Sequence, residues 1–302
     1  MSLSLDKLVW GPSVALVGKT KMDFGGLEEA VVQMGAVEAA EIESTPLNNI
    51  MARVALDGGN GDDLAEFAGR QCYRSWKVGR GSAEYHENIR SQGHGSIYEH
   101  AFLNFQITGV SRALTHELIR HRVGTGYSQE SQRYVDAKDM RFIVPPLLAN
   151  AVADEVGYLP LKQDDFSKLS QSTLSNLSDF MNICQTSIDA YVRQQEFLTK
   201  AAKAIEGDEK AAVSAKKRAN EAARAVLPNA AETRLVFSVN LRELRHILTL
   251  RGDEPADLEI RRLAVAMFPH AFAYAPHFFA DLSLDVGTDG LPIITTNQLK
   301  RI

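Results

Sequence analysis

The sequence has few cysteines and no long apolar run. Only Cys72 and Cys184 occur among its 302 residues, and neither belongs to a C-x-x-C or other metal-type spacing. No stretch approaches the roughly 20 apolar residues that cross a bilayer. Gly11 and Pro12 interrupt the N-terminal region before an apolar run reaches signal-peptide length. We therefore expect a cytoplasmic protein in a reducing compartment, with no membrane partner.

Positive charge is also in short supply. The formal net charge is -5 and the sequence pI is about 5.9, so the surface as a whole should repel nucleic acid. We expect no nucleic-acid partner, and any anion-binding site must be local.

Several common catalytic motifs are missing. The sequence contains no G-x-S-x-G elbow, Walker loop, G-x-G-x-x-G fingerprint or H-E-x-x-H helix. The segment GHGSIYEH holds His94, Glu99 and His100, but the H-x-x-E-H pattern requires histidine where Ser96 stands. We predict no metal site, and by residue type alone the two histidines suit packing or capping.

Hydrophobic periodicity predicts both strands and helices. Strands are expected over 12–19, 101–110 and 233–239. Helices are expected over 64–76, 111–121, about 165–205, 211–226 and 258–282, with Pro269 and Pro276 kinking or dividing the last. The Gly/Asp/Asn-rich end of segment 48–63 indicates an exposed loop.

Two of these helices have an apolar face in the sequence. In the first it is formed by Leu64, Phe67, Ala68 and Cys72. The long helix carries a stripe formed by Leu177, Phe180, Met181, Cys184, Ile188, Tyr191 and Val192. Both cysteines are therefore expected to be packing residues.

No internal repeat, low-complexity tract or Pro/Ser linker divides the chain. We predict an α+β fold with a single domain over 1–302: a central, mostly antiparallel sheet flanked by helices. Residues 1–63 would form an N-terminal strand and a variable extension, and about 160–226 a long helical excursion.

The segment RHRVGTGYSQESQRY concentrates arginines and neutral polar groups. Arg120, His121 and Arg122 are adjacent, which is unfavourable unless an anion compensates, and a guanidinium matches phosphate oxygens in bidentate fashion. Gly124 and Gly126 permit a tight turn. A phosphate-bearing ligand is one reading; the other is an exposed helix end whose arginines balance the helix dipole.

A second polar cluster follows in ARAVLPNAAETR and NLRELRHILTLRGD. Arg224 lies in the first piece, and Asn240, Arg242, His246 and Arg251 in the second. Arg242 and His246 are four residues apart, so they share one helix side. Each alone suits a solvated surface, and only their combination with the first cluster favours a site.

Together these motifs resemble the flavin-dependent thymidylate synthases, or thymidylate synthase complementing proteins. The matching pieces are LAEFAGRQCYRSW, GHGSIYEH, ITGVSRALTHELIRHR, YSQESQRYV, ARAVLPNAAETR, NLRELRH and RGDEPADLEIRRLA. They run from Leu64 to about Leu282. In the family, seven residues separate the Arg-His-Arg triplet from a serine; here eight, Val123 to Glu130, precede Ser131, which we interpret as one inserted residue in the turn at 124–127.

The resemblance implies two sets of contacts. The implied FAD contacts are His94, Ser96, Glu99, Arg120, His121, Arg122, Gln129, Asn240, Leu241, Arg242 and His246. The implied dUMP contacts are Glu117, Arg120, Gln129, Glu130, Ser131, Gln132, Arg133, Arg224 and Arg251. Arg251 would be the catalytic group, because a guanidinium at the O2/N3 edge of uracil stabilises the ionised ring.

The family's reaction defines the expected partners. It takes a methylene from methylenetetrahydrofolate and hydride from reduced FAD, which NADPH regenerates, to convert dUMP to dTMP. The resemblance implies a homotetramer with active sites shared between subunits and no cysteine nucleophile; Ser131 is read as a hydrogen-bonding ligand. Two alternatives stay open: a flavin-dependent methylase acting on another pyrimidine nucleotide such as UMP, and a non-catalytic nucleotide- or RNA-binding protein.

Overall fold

A computed structural model describes residues 3–34, 45–76, 80–206 and 209–297. The fold is α+β, with 57% helix and 17% strand. The helices are α1 (Phe24–Gln33), α2 (Thr45–Asp57), α3 (Gly61–Tyr73), α4 (Ser82–Gln92), α5 (Arg112–Leu118), α6 (Pro146–Val156), α7 (Gln171–Glu206), α8 (Glu209–Ala223), α9 (Leu241–Arg251) and α10 (Leu258–Tyr274). Short 3-10 helices cover Leu5–Lys7, Gly95–Glu99, Ala137–Asp139, Gln163–Lys168 and Arg224–Val226.

Within the described residues, the strands form three sheets. They are β1 (Leu8–Val9), β2 (Ser13–Lys19), β3 (Phe102–Ser111), β4 (Thr125–Gln129), β5 (Phe142–Ile143), β6 (Glu232–Asn240), β7 (Leu282–Val286) and β8 (Pro292–Thr296). The largest sheet is antiparallel and has the order β2-β3-β6-β4. β1 pairs in parallel with β5, and β7 pairs with β8 in an antiparallel hairpin. The predicted fold class is confirmed.

The chain divides into two compact units. The first comprises Met1–Ser13, Ile107–Arg120 and Ser128–Leu235. The second comprises Val14–Gln106, His121–Tyr127 and Val236–Ile302. The expectation of one domain over 1–302, with its N-terminal extension and helical excursion, stays a prediction.

The first unit is built around the predicted stripe of α7. Leu177, Met181, Cys184 and Ile188 are buried in a core with Phe142. Tyr191 lies in a second cluster with Ala137 and Ala223. Gln195 Nε2 donates to Asn220 Oδ1 at 2.7 Å, which joins α7 to α8. The helical spacing of the apolar residues predicted this face correctly, because one side of a helix this long must be covered.

The second unit has a core in which charged side chains are buried and paired. Asn60 is the N-cap of helix α3, and its side chain forms a capping box with Asp63. The carboxylate of Asp62 accepts the backbone N–H groups of His277 at 2.7 Å and Phe278 at 3.0 Å. These bonds satisfy backbone donors that burial would otherwise leave unpaired.

The predicted apolar face of α3 is only half-buried. Leu64, Phe67 and Ala68 are partly exposed, although Phe67 packs against the buried Trp76. The buried residues of this helix are Gly61, Asp62, Asp63, Ala65, Glu66, Gly69 and Arg70. Arg70 Nε donates to Glu66 Oε1 at 2.8 Å inside the unit, so paired charges take the place expected for apolar side chains. Cys72 is exposed, which corrects its packing role, whereas Cys184 is buried as expected.

Other boundaries also differ from the expectations. Only residues 58–60 separate α2 from α3, with Gly58 and Gly59 at φ +81° and +64°. The loop expected within 48–63 is therefore much shorter, and it is not exposed, because Gly59 is buried and Gly58 and Asn60 are half-buried. Helix α10 contains Pro269 but ends at Tyr274, before Pro276, rather than near Leu282, because the residue before a proline disfavours helix. Gly126 lies in β4 instead of the turn.

Candidate active site

The turn that follows the Arg-His-Arg triplet is hydrogen-bonded to Asn240, the residue that precedes α9. Gly124 has φ +64°, and a Cβ there would overlap the side-chain amide of Asn240. The backbone N–H of Asn240 donates to the carbonyl of Gly124 at 2.9 Å. Thr125 Oγ1 donates to the carbonyl of His121 at 2.8 Å, and the Tyr127 hydroxyl donates to the same carbonyl. The main chain of His121 is thus held from several sides.

Helix α9 carries the polar cluster predicted for its sequence. Asn240 is its N-cap and its side chain accepts the backbone N–H of Glu243 at 2.8 Å. His121 Nδ1 lies 2.9 Å from Glu243 Oε1, and Arg251 Nε lies 3.2 Å from His121 Nε2. The rings of His121 and His246 are 5.5 Å apart.

Burial controls the charges in this cluster. Desolvation, followed by the charge of Arg251, lowers the pKa of His121 to about 4. Desolvation raises the pKa of Glu243, while His246 and Arg242 oppose that shift. The His121 ring is therefore neutral at neutral pH.

The side chains of His121, Glu243 and His246 also lie close enough to hold a metal ion, with ligand atoms within 4.8 Å of one another. Both ring nitrogens of His121 already have partners, Glu243 and Arg251. A metal at His121 would have to displace one of these partners. The expectation of no metal stays a prediction.

The remaining predicted flavin residues of this unit form a neighbouring group. Arg242 NH1 forms an ion pair with Glu99 Oε1. The ring of His94 stacks on Tyr73, with centroids 6.0 Å apart and an interplanar angle of 19°. Ser96 is exposed in the 3-10 helix Gly95–Glu99.

Two further flavin residues differ in exposure. Arg122 is exposed. Leu241 is fully buried, and a Cβ on Gly61 would meet its Cδ1 at 2.6 Å. Its contact with the flavin stays a prediction, and the burial of the side chain does not favour it.

The predicted nucleotide residues lie in the first unit, apart from Arg251. Gln129 Nε2 donates to Thr115 Oγ1 at 3.3 Å and to Thr233 Oγ1 at 3.1 Å. Ser131 Oγ accepts the backbone N–H of Arg133 at 3.3 Å. Glu117 is half-buried, and its carbonyl accepts the backbone N–H of Arg120, whose side chain is exposed.

Glu130 and Gln132 face a cavity of about 280 Å³. Its other charged lining residues are Asp136, Asp139, Arg141, Glu232 and Arg234. Arg141 and Glu232 form a two-bond ion pair, with Nε–Oε2 at 2.7 Å and NH2–Oε1 at 2.6 Å. The cavity is therefore polar and of mixed charge.

Arg133 and Arg112 of this unit have hydrogen-bond partners. Arg133 Nε lies 3.1 Å from Glu221 Oε2. Arg224 is exposed on the 3-10 helix Arg224–Val226, and after desolvation its charge is the main cause that lowers the pKa of Arg112. Arg112 NH2 donates to the carbonyl of Glu130 at 3.0 Å.

Sequence reasoning missed partners that orient the predicted residues. Glu243 lies three positions before His246 on the same helix, a spacing that could have drawn attention to it. Tyr73, Thr115, Thr233 and Glu221 had no such signal, because they are distant in sequence from the residues they contact.

Comparisons with known proteins decide the family. A family model described as thymidylate synthase complementing protein matches residues 56–277. The chain belongs to the thymidylate synthase complementing protein family. Relatives named flavin-dependent thymidylate synthase are 40% identical over 244 residues in Mycobacterium tuberculosis, covering 80% of this chain and 87% of the relative. The Mycobacterium avium relative is 40% identical over 246 residues, covering 80% and 88%.

Membership in this family makes the chain an enzyme, a methyltransferase of the flavin-dependent thymidylate synthase type. The fold has a solved counterpart in a UMP/dUMP methylase, PolB, from Streptomyces cacaoi, crystallised with 5-Br dUMP. The two align with a TM-score of 0.52 and 20% identity over 90% of this chain and 95% of that one. In the described part of this family member, no helix is long and apolar enough to cross a membrane.

Proposed function

We propose that this enzyme methylates dUMP to dTMP, with methylenetetrahydrofolate as the carbon donor and NADPH-reduced FAD as the hydride source. The observation that carries this proposal is the bond between Arg251 Nε and His121 Nε2 at 3.2 Å, in a chain 40% identical to flavin-dependent thymidylate synthases over 80% of its length. It fixes the proposed catalytic guanidinium to the Arg-His-Arg triplet.

The donor set suits a flavin dinucleotide. Arg122 offers a cation, His246 offers a ring nitrogen, and the Tyr73–His94 pair offers aromatic faces. The carboxylate of Glu99 is paired with Arg242, so it repels an anionic cofactor less than an unpaired carboxylate would. FAD bound there would supply hydride to the methylene group after its transfer to the pyrimidine.

The protein's own groups would bind and activate the nucleotide. Arg251 would bind the O2/N3 edge of uracil and stabilise the negative charge that makes carbon 5 nucleophilic. The amide of Gln129, oriented by Thr115 and Thr233, would donate to a polar group of the nucleotide. Exposed Arg120 and Arg224 would bind the phosphate. Shared sites in a homotetramer, and a cytoplasmic location, belong to the same proposal.

A comparison of substrates tests this function. Purified protein is scanned for a flavin absorption band before and after addition of FAD, and product is then measured with dUMP or UMP at equal methylenetetrahydrofolate and NADPH. We expect a flavin band and dTMP formation that exceeds methylation of UMP. A strong preference for UMP would favour the relationship with the UMP/dUMP methylase, and absence of a flavin band would favour a non-catalytic binding protein.

Complementation gives a second, independent test. Expression of the chain should rescue a thymidine-requiring strain on medium without thymidine. Because rescue requires dTMP formation inside a cell, a protein that only binds nucleotides would leave the strain dependent on thymidine.

A further inference from the structure

The hydrogen-bond direction between Arg251 and His121 is fixed by chemistry. A guanidinium has donors and no acceptor, so Arg251 Nε must donate to His121 Nε2 over their 3.2 Å separation. His121 Nε2 therefore carries no proton. Since the ring is neutral, its single proton lies on Nδ1.

The proton on Nδ1 defines the role of Glu243. His121 Nδ1–H donates to Glu243 Oε1 at 2.9 Å, and both side chains are shielded, with 5% and 14% of their surfaces exposed. An ionised carboxylate only accepts hydrogen bonds, so Glu243 requires the proton to lie on Nδ1 of His121. The three side chains form one directed chain in which Arg251 donates to His121 and His121 donates to Glu243.

The backbones of His121 and Glu243 are held independently of the bond between their side chains. The carbonyl of His121 accepts from Thr125 and Tyr127, and the backbone N–H of Glu243 donates to the Asn240 cap. A change confined to the Glu243 carboxylate should therefore alter the ring of His121 more than the main chain around it.

We propose that Glu243 is a positioning residue for Arg251: its carboxylate holds His121 in the Nδ1–H tautomer, which leaves Nε2 as the acceptor for the guanidinium. The other tautomer would point an N–H at another N–H, and Arg251 would lose this anchor. Glu243 lies two hydrogen bonds from Arg251. Carboxylates that orient a histidine at metal sites typically affect activity by about 10- to 100-fold, and we expect an effect of that order here. The consequence for turnover rests on the proposed function; the tautomer does not.

Two substitutions of Glu243 distinguish the need for a hydrogen-bond acceptor from the need for a negative charge. Glu243→Met removes the acceptor with little change in length, whereas Glu243→Gln keeps a carbonyl oxygen that can accept from Nδ1–H. Glu196→Met, on an exposed position of α7, is the matched control. All three proteins are first compared by thermal unfolding and by their flavin content.

The tautomer is measured with ¹⁵N-histidine-labelled protein by long-range ¹H–¹⁵N correlation, with the His121 signals assigned from their loss in His121→Gln. We expect the Nδ1–H pattern in the wild type, Glu196→Met and Glu243→Gln, and its loss in Glu243→Met. An unchanged Nδ1–H pattern in Glu243→Met would overturn the proposal whether or not the protein methylates dUMP.

Turnover supplies the functional measurement. We expect kcat for dUMP methylation to fall about 10- to 100-fold in Glu243→Met, to fall less in Glu243→Gln, and to stay within about twofold in the control. Wild-type kcat and KM in a folded Glu243→Met would refute the positioning role. An inactive wild type with the expected tautomer pattern would refute the proposed function and leave the link from Glu243 to His121 intact.

Discussion

Arg245 binds Asp281 through both ends of its guanidinium, with NH1–Oδ1 at 2.8 Å and NH2–Oδ2 at 2.5 Å. Both side chains are about 95% buried, at 5% and 4% exposure. Burial raises the pKa of Asp281, but hydrogen bonds and charge from Arg245 outweigh it and hold that pKa below its usual value. Arg90 Nε adds a third contact at 3.4 Å.

This pair predicts a large loss of stability in Asp281→Ala. The substitution leaves the buried guanidiniums of Arg245 and Arg90 without their carboxylate, so the free energy of unfolding should fall by about 3–5 kcal/mol. Asp285→Ala, at an exposed position of β7, should change it by less than about 0.5 kcal/mol. Urea unfolding of both variants measures the difference, and equal midpoints would contradict the importance of the pair.

Gly124 predicts a similar contrast in the turn after Arg122. A side chain at φ +64° is strained, and a Cβ would overlap the Asn240 amide, so Gly124→Ala should destabilise the protein by about 1–3 kcal/mol and weaken FAD binding. Gly126→Ala is the control, because its Cβ would make only ordinary contacts with the Ser238 side chain, at 3.6 Å to Cβ and 3.9 Å to Oγ. Thermal unfolding and FAD titration should rank the two variants; equal behaviour would show that the turn tolerates a side chain.

The two cysteines should differ in reactivity. Cys72 is exposed, whereas burial raises the pKa of Cys184 to about 12 and shields it. In native protein, a thiol reagent should therefore modify one cysteine per chain, and in denaturant both. Cys72→Ser should abolish the native reaction. Protection of Cys72 in the wild type would instead indicate that another surface covers α3.

Arg251→Ala should lower kcat by about 100-fold or more, because it removes the charge proposed to stabilise the ionised uracil ring. The protein should stay folded and keep its flavin, as measured by circular dichroism and absorbance. Arg193→Ala, on an exposed part of α7, should retain activity. Wild-type turnover in Arg251→Ala would remove this residue from the catalytic role.

Local sequence patterns predicted the elements in which the side chains on one face are more buried than those on the other. The stripe of α7 and the strands β2, β3 and β6 follow from periodicity. The α7 stripe and one face of β3 and of β6 are buried, whereas in β2 half-buried residues alternate with exposed ones. Helix α3 misled this reasoning, since Glu66 and Arg70 are buried as a pair that composition reads as exposed. Helices α4 and α6 were not predicted at all.

The candidate site was likewise predicted only in part. Its residue types followed from the arginine clusters and the family resemblance, but the bonds that orient them join positions far apart in the chain. His121 and Glu243 are separated by 122 residues, and Gln129 and Thr233 by 104. Such pairings depend on the fold, and no local spacing in one sequence specifies them.

The buried side chain of His86 should make the stability of the protein depend on pH. Desolvation, then the charges of His277 and Arg90, lower the pKa of this buried ring to about 3, and its Nδ1 lies 2.6 Å from the Tyr98 hydroxyl. Its folded-state pKa lies below the unfolded value of about 6.5. The unfolded chain therefore binds the proton first, and stability should be lost as pH falls from about 6.5 toward 3.

Asp62 contributes to the pH dependence with the opposite sign. Burial raises its pKa to about 7, so the stability that it contributes is lost as pH rises toward 7. A His86 variant separates the two contributions. His86→Gln should be less stable than the wild type at pH 7, and the gap should narrow by up to about 1.4 kcal/mol per pH unit below 6.5. His116→Gln, at an exposed position, should show no such narrowing. Urea unfolding at pH 7, 6 and 5 measures the gap; if it stays constant, His86 is not the group that charges on unfolding.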